Sequence, residues 1–171
     1  MSKPQRGKID FVPCPLSPVP CPLSPLPHLP PSRYNAGMTF LSGFSVRSSR
    51  RDEWIEISGE VAGAVAESGI AEGICVVFVP HTTAAVTVNE NADPDVPRDM
   101  GFALGTISPD RREFRHGEGN SAAHVKTSIV GPSITLIVSD GTLLLGRWQG
   151  IWFNEYDGPR LRNVHVRVMG D

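Results

Sequence analysis

Long apolar runs are missing from this chain. No stretch approaches the roughly 20 apolar residues that a membrane-crossing helix needs, because Gly, Pro and charged residues interrupt the apolar segments. Charge of one sign is missing as well. Sixteen Lys and Arg face 18 Asp and Glu, for a formal net charge of −2. That balance supplies no basic field for nucleic acid. The densest basic group, Arg47, Arg50 and Arg51, reads as a solvated strand end. Cysteine is scarce. Of three, Cys14 and Cys21 lie among prolines, and Cys75 sits in the apolar run ICVVFV as a small hydrophobe. An odd count without a framework argues against a disulfide scaffold and suits a reducing cytoplasm.

Proline, by contrast, is concentrated at one end. Residues 1–37 contain VPCPLSP twice in succession and most of the chain's prolines. Proline has no N–H to give to a helix or ladder, so this segment is expected to be a disordered, extended N-terminal extension. A Pro-rich ligand for an SH3-type domain is the sharper alternative, and a start codon placed ahead of a working Met38 the plainer one. Lys3, Arg6 and Lys8 faintly resemble the start of an export signal. Pro13, Pro15, Pro18, Pro20 and Pro22 break any apolar core such a signal would need. His28 falls in this extension and carries no catalytic weight.

Residues 38–171 read as one domain, with 40% hydrophobic content in the whole chain to build its core. TFLSGFSVRS, EWIEIS, GICVVFVP and AAVTVNE have strand character, the second through alternation of Trp54, Ile55 and Ile57 with charges. Between them, Ser58 is placed to cap a helix over GEVAGAVAESG, with Val61, Ala62, Val65 and Ala66 on one face and Gly69 as its stop. Asp93 and Pro94 form a helix start, cap and first turn, for a helix reaching about Leu104. A polar loop follows over 107–120, then a short helix over 121–130 closed by Gly131 and Pro132. SITLIVSDG, GRWQGIWFNE and NVHVRVMG close the chain as strands, with Asp140 and Gly141 forming a turn. Strands dominate and the helices are not interleaved as a βα repeat. The expected fold is therefore α+β, a mostly antiparallel β-sandwich with two or three helices.

Polar residues are unevenly spread in this domain. His81, His116 and His124, three of the five histidines, fall in HTTAAVTVNENADPD and HGEGNSAAHVK. So do four acidic side chains and three asparagines. Both blocks adjoin apolar runs able to hold them rigid, as catalytic groups require. His81 ends a strand beside two threonine hydroxyls and suits a general base or a metal ligand, or simply a bond to a backbone carbonyl. Asn89, Glu90, Asn91, Asp93 and Asp95 could hold a hard cation such as Mg²⁺, although helix capping accounts for the two aspartates. His116 and His124 are eight residues apart, so their loop must fold back for them to meet. With His81 they would then form a three-histidine site of the kind that holds Zn²⁺ with an open position. In the third polar block, Gly146 and Gly150 flank Arg147, Trp148 and Gln149. Arg147 could grip phosphate, and Trp148 and Trp152 are expected to pack in the core or against another subunit. His165, in NVHVRV, is expected to face away from the core with Asn163 and Arg167.

HTTAAVTVNENADPDVPRDM, RHGEGNSAAHVKTSIVGPS and SDGTLLLGRWQGIWFNEYDGPR together resemble the YjbQ family (UPF0047), also described as secondary thiamine-phosphate synthase. The resemblance covers roughly residues 40–170 and leaves out the Pro-rich extension. It implies a β-sandwich that assembles as a homotrimer. It also implies a weak thiamine-phosphate synthase activity, which joins hydroxymethylpyrimidine diphosphate to a thiazole phosphate and releases pyrophosphate. The family pattern matches at His81, Thr82, Asn89, Glu90, Asp93, His116, Gly119, His124, Gly146, Trp148 and Gln149, whereas Arg147 departs from it. A diphosphate leaving group needs its charge neutralised by a divalent metal, Zn²⁺ or Mg²⁺, or by Lys126 and Arg160. His81, Glu90, His116 and His124 are the catalytic candidates. Thr82, Asn89, Asp93, Gly119, Lys126, Gln149 and Arg160 are the substrate-binding candidates. The same groups would also suit a metal-dependent hydrolase of a small phosphorylated metabolite, or a non-catalytic metal- or ligand-binding trimer. No nucleic-acid or membrane partner is expected.

Overall fold

The computed structural model describes residues 37–170, so the expectations for the Pro-rich extension lie outside the described residues. Eight strands and three helices follow in the order β1 (Met38–Arg47), β2 (Glu53–Glu56), α1 (Ser58–Ser68), β3 (Gly73–Phe78), β4 (Ala84–Glu90), α2 (Asp95–Ile107), α3 (Ser121–Val130), β5 (Ser133–Ser139), β6 (Thr142–Leu143), β7 (Gln149–Glu155) and β8 (Leu161–Gly170). They form two antiparallel sheets, one ordered β1-β8-β3-β5-β6 and one ordered β2-β7-β4. This is the expected α+β sandwich.

Alternation explains which face of each strand is buried. In β8, Val164, Val166 and Val168 are fully buried while Asn163, His165 and Arg167 are exposed, as the sequence pattern predicts. Cys75 and Val77 of β3, Val86 of β4, and Ile151 and Phe153 of β7 join those valines in one core between the sheets. Each such side chain contributes about 1.5–3 kcal/mol on burial. Helix α1 packs into this core through Val61, Ala64 and Val65. Ala62 and Ala66, expected on that face, are exposed instead; the helix is rotated to turn Ala64 inward. Ser58 also differs from its expected capping role. It is the first helical residue, and its hydroxyl accepts the Ile151 N–H at 2.8 Å, which ties α1 to β7.

A second, smaller core lies between the three-stranded sheet and helices α2 and α3. It is built from Ala85, Leu104, Ala123 and Tyr156, with Trp54 and Val130 against it. Trp152 also lies on this face, 6.3 Å from Trp54 between ring centroids, and its indole donates to the Glu90 carbonyl. Helix α2 starts one residue later than expected, with Pro94 in the cap position and Asp93 accepting the Asp95 N–H at 2.9 Å. It also runs one turn further, to Ile107. The outer face of the five-stranded sheet stays open, with Leu41, Ile74, Phe78 and Ile137 exposed. The β5–β6 turn carries positive φ at both Asp140 (51°) and Gly141 (70°), the twist that a two-residue hairpin prefers.

Candidate functional site

One end of the three-stranded sheet opens into a polar cleft of about 320 Å³. Four segments meet there. The lead into β4 supplies Thr82 and Thr83, and the 116–120 turn supplies His116, Glu118 and Asn120. Helix α3 supplies His124, the β7–β8 connection supplies Asp157 and Arg160, and the start of β8 supplies Arg162. The loop folds back, the condition for His116 and His124 to meet. Gly119 adopts φ 72° and returns its N–H to the His116 carbonyl at 3.0 Å. That reversal brings the His116 and His124 rings edge to face with centroids 5.1 Å apart.

The floor is a buried ion pair. Arg162 is 6% exposed and Glu155 is fully buried. The guanidinium bonds both carboxylate oxygens, through Nε at 2.8 Å and Nη2 at 2.5 Å, and Nη2 also reaches Thr83 Oγ1 at 2.9 Å. Glu155 also accepts from the Ser48 hydroxyl and from the Tyr156 and Asp157 N–H groups, so its lone pairs are occupied. This network holds the lead into β4 and the start of β8 in fixed relation.

The cleft wall is ordered by Asp157. Its Oδ2 accepts from Arg160 Nη2 at 2.6 Å and from Asn120 Nδ2 at 2.9 Å. Burial opposes ionisation there, but these hydrogen bonds and the charges of Arg160 and Arg162 outweigh it and hold the Asp157 carboxyl below its ordinary value. Arg160 remains half exposed at the rim, with donors left over for a ligand.

Other candidates lie elsewhere. His81 adjoins Thr82 in sequence, but its ring turns toward β8, where Nε2 accepts the Asn163 N–H at 2.9 Å. Burial, and next the positive charge of Arg162, push its pKa down, so the fold favours the neutral ring that this bond requires. The three-histidine centre is therefore not assembled within one chain. Among the described residues, no three His, Cys, Asp or Glu side chains are grouped to hold an ion. Lys126 is not available to phosphate in this arrangement. It is 8% exposed, pairs with Asp52 at 2.5 Å and lies over the Tyr156 ring.

Asn89, Glu90 and Gln149 are at the far end of the sheet. Antiparallel register sets Ala84 against Glu155 and Glu90 against Gln149. The length of β4, roughly 20 Å at about 3.3 Å per residue, thus separates these residues from the histidine cleft. Asp93 sits just beyond them, at the entry to α2. Close by, Trp148 is 58% exposed rather than packed, with the Arg147 guanidinium 5.1 Å from its ring centroid.

Thr83, Glu118, Asn120, Asp157 and Arg162 line the cleft without having been singled out from the sequence. Glu118 and Asn120 lie inside the HGEGNSAAH block. Arg162 left a clearer signal, since it shares the inward phase of Val164, Val166 and Val168. A charge at a core-facing position requires a buried partner.

A β-sandwich with two helices on its three-stranded sheet and a histidine–arginine cleft at that sheet's end defines the class of protein. The family model described as UPF0047 protein YjbQ-like matches residues 42–171. UPF0047 protein YugU of Bacillus subtilis is 47% identical over 131 residues, covering 76% of this chain and 99% of that protein. A UPF0047 protein of Methanocaldococcus jannaschii is also 47% identical, covering 77% of this chain and 95% of the relative. Among solved structures, a YjbQ/UPF0047 family protein from Clostridium acetobutylicum is 49% identical with a TM-score of 0.73, covering 74% of this chain and 98% of that one. A YbjQ-like protein of unknown function from Sulfolobus solfataricus is 30% identical with a TM-score of 0.76, covering 79% and 99%. The chain belongs to the YjbQ (UPF0047) family.

Proposed function

We propose that this chain is a transferase of the thiamine-phosphate synthase type, acting on hydroxymethylpyrimidine diphosphate and a thiazole phosphate. The thiazole nitrogen attacks the pyrimidine's methylene carbon. A C–N bond forms as the C–O bond to the diphosphate breaks, and the electron pair leaves with pyrophosphate. The observation that carries this reading is the edge-to-face pair of His116 and His124 in one polar cleft with Arg160. Such a set suits a leaving group that gains negative charge. Arg160 and the histidines meet the pyrophosphate oxygens, one histidine donates a proton to them, and Thr82 orients the substrate.

A divalent metal belongs to this reading as the diphosphate's counter-ion. Mg²⁺ takes oxygen ligands and is commonly held partly by substrate phosphates. For Zn²⁺ the cleft offers two close imidazoles, short of the three or four protein ligands such a centre takes. The proposal includes a cytoplasmic homotrimer. The exposed Leu41, Ile74, Phe78 and Ile137 on the open sheet face support self-association. No helix among the described residues is long and apolar enough to cross a membrane.

The test supplies both phosphorylated halves with Mg²⁺ and measures thiamine phosphate chromatographically. Product is expected, falling by about 100-fold or more in His116→Ala and His124→Ala, the scale of a lost general acid. Turnover of small phosphoesters without synthesis would identify a hydrolase instead. Ligand binding without turnover of either kind would identify a binding protein.

A further inference from the structure

The histidine cleft carries charge of both signs. Arg162 is matched by Glu155 in its floor, and Asp157 by Arg160 at its wall. His116, His124 and Glu118 are the other ionisable groups that line it. Glu118 has no cationic partner among the described residues. Its side chain instead accepts from Asn120 Nδ2 at 3.2 Å. The same amide donates to Asp157 Oδ2 at 2.9 Å, and that oxygen accepts from Arg160 at 2.6 Å. Three hydrogen bonds in a row thus fix an uncompensated carboxylate in relation to the guanidinium at the rim. Asn120, in the middle of the row, is 5% exposed, whereas Glu118 and half of the Arg160 side chain are open to solvent. A site for phosphates alone is weakened by such a carboxylate, because like charges repel. A ligand that also carries a positive nitrogen turns it into an attraction.

We propose that this cleft recognises a small phosphorylated molecule bearing a nitrogen cation, with the phosphate at Arg160 and the histidines and the cation at Glu118. This rests on the transferase reading of the same cleft and adds a residue to it. The thiazole nitrogen uses its lone pair to form the C–N bond and becomes positively charged, while the C–O electron pair leaves with pyrophosphate. Glu118 faces that nitrogen and stabilises the charge it gains. It takes no proton, since the nitrogen has none to give. Its attraction is stronger for the transition state and product than for the neutral thiazole, the condition for a contact to speed a reaction.

The test uses phosphocholine and dimethylbutyl phosphate, its isostere with a neutral carbon in place of the cationic nitrogen. Each is titrated into the whole chain by calorimetry. The wild type is expected to bind phosphocholine about tenfold more tightly, the scale of one partly screened charge pair. Glu118→Gln keeps the shape and an acceptor for Asn120, and should bind the two alike. Glu113→Gln, an exposed change on the adjoining segment, should leave the preference intact and so separate a local contact from net charge. Wild type that binds neither probe, or both equally, overturns the proposal, as does a preference that survives in Glu118→Gln. In the synthase assay, Glu118→Gln should lower kcat by about tenfold with the KM for thiazole phosphate unchanged, and an unaltered kcat removes the catalytic role. The two readings fail separately. A cation preference without thiamine phosphate synthesis sinks the transferase alone, and synthesis without the preference sinks the role of Glu118 alone.

Discussion

Replacing Arg162 by methionine tests whether the cleft floor is held by its buried ion pair. The substitution keeps an unbranched stem of similar length and removes the guanidinium. Glu155, fully buried, then loses bonds of 2.8 and 2.5 Å, and Thr83 loses its 2.9 Å donor. Removing one member of a buried pair leaves an uncompensated charge and costs about 3–5 kcal/mol. The lost Thr83 bond adds about 1 kcal/mol. For a domain of this size the melting temperature should drop by roughly 10–25 °C. Urea unfolding at one fixed protein concentration measures the change, because association would make the midpoint concentration-dependent. Glu155→Gln alone should be destabilising for the converse reason. The double variant should cost at least about 2 kcal/mol less than the sum of the singles, since no buried charge is left unpaired. A loss below about 1 kcal/mol for Arg162→Met, or strict additivity in the cycle, would refute the reasoning.

Three further outcomes follow from the same structure. Folding depresses the His81 pKa below 6.5, so the stability His81 contributes is fully present above pH 6.5 and is lost as pH falls from there through the folded value. Urea midpoints between pH 7.5 and 5 should fall less steeply in His81→Gln, and an unchanged slope would contradict the hydrogen bond to Asn163. Phe153→Ala empties a fully buried position between the sheets and should cost about 3–5 kcal/mol in chemical unfolding. Burial pushes the Cys75 thiol up to about 11. With Cys14 and Cys21 replaced, a thiol reagent at pH 8 should therefore label the chain only after denaturant is added, and rapid labelling of the folded protein would count against that burial.

Most of the fold was legible because its signals are local. Period-two alternation in NVHVRV marks both the strand and its buried face without reference to any neighbour. Gly69, Gly131 and the Asp140–Gly141 pair mark the ends of elements, because backbone with positive φ suits few residues. The differences fall where a distant partner overrides a local signal or where the local pattern is symmetric. Ser58 has the chemistry of a cap, yet a sheet N–H of β7 claims its hydroxyl, a contact separated by 93 residues. The rotation of α1 toward Ala64 was equally hidden, since alanines on both faces leave the pattern nearly symmetric.

The sequence alone determined the antiparallel strand-rich class and the helix and strand boundaries within a few residues, and it marked the glycine-bearing loop between His116 and His124 as the place where a reversal could bring them together. These depend on backbone preference and on hydrophobic period, which are properties of short segments. Which polar groups share a cleft was decided by tertiary structure. The 116–120 turn, tied to Asp157 through Asn120, sets His116 and His124 in one cleft with Asp157 and Arg160, a bond from the Asn163 N–H holds His81 on β8, and strand register carries Glu90 a strand's length away. The physical reason is that a strand is stiff and extended. Residues close along the chain, such as Thr82 and Glu90, must then stand far apart, while residues far along it, such as Thr83 and Arg162, are brought into hydrogen-bond contact.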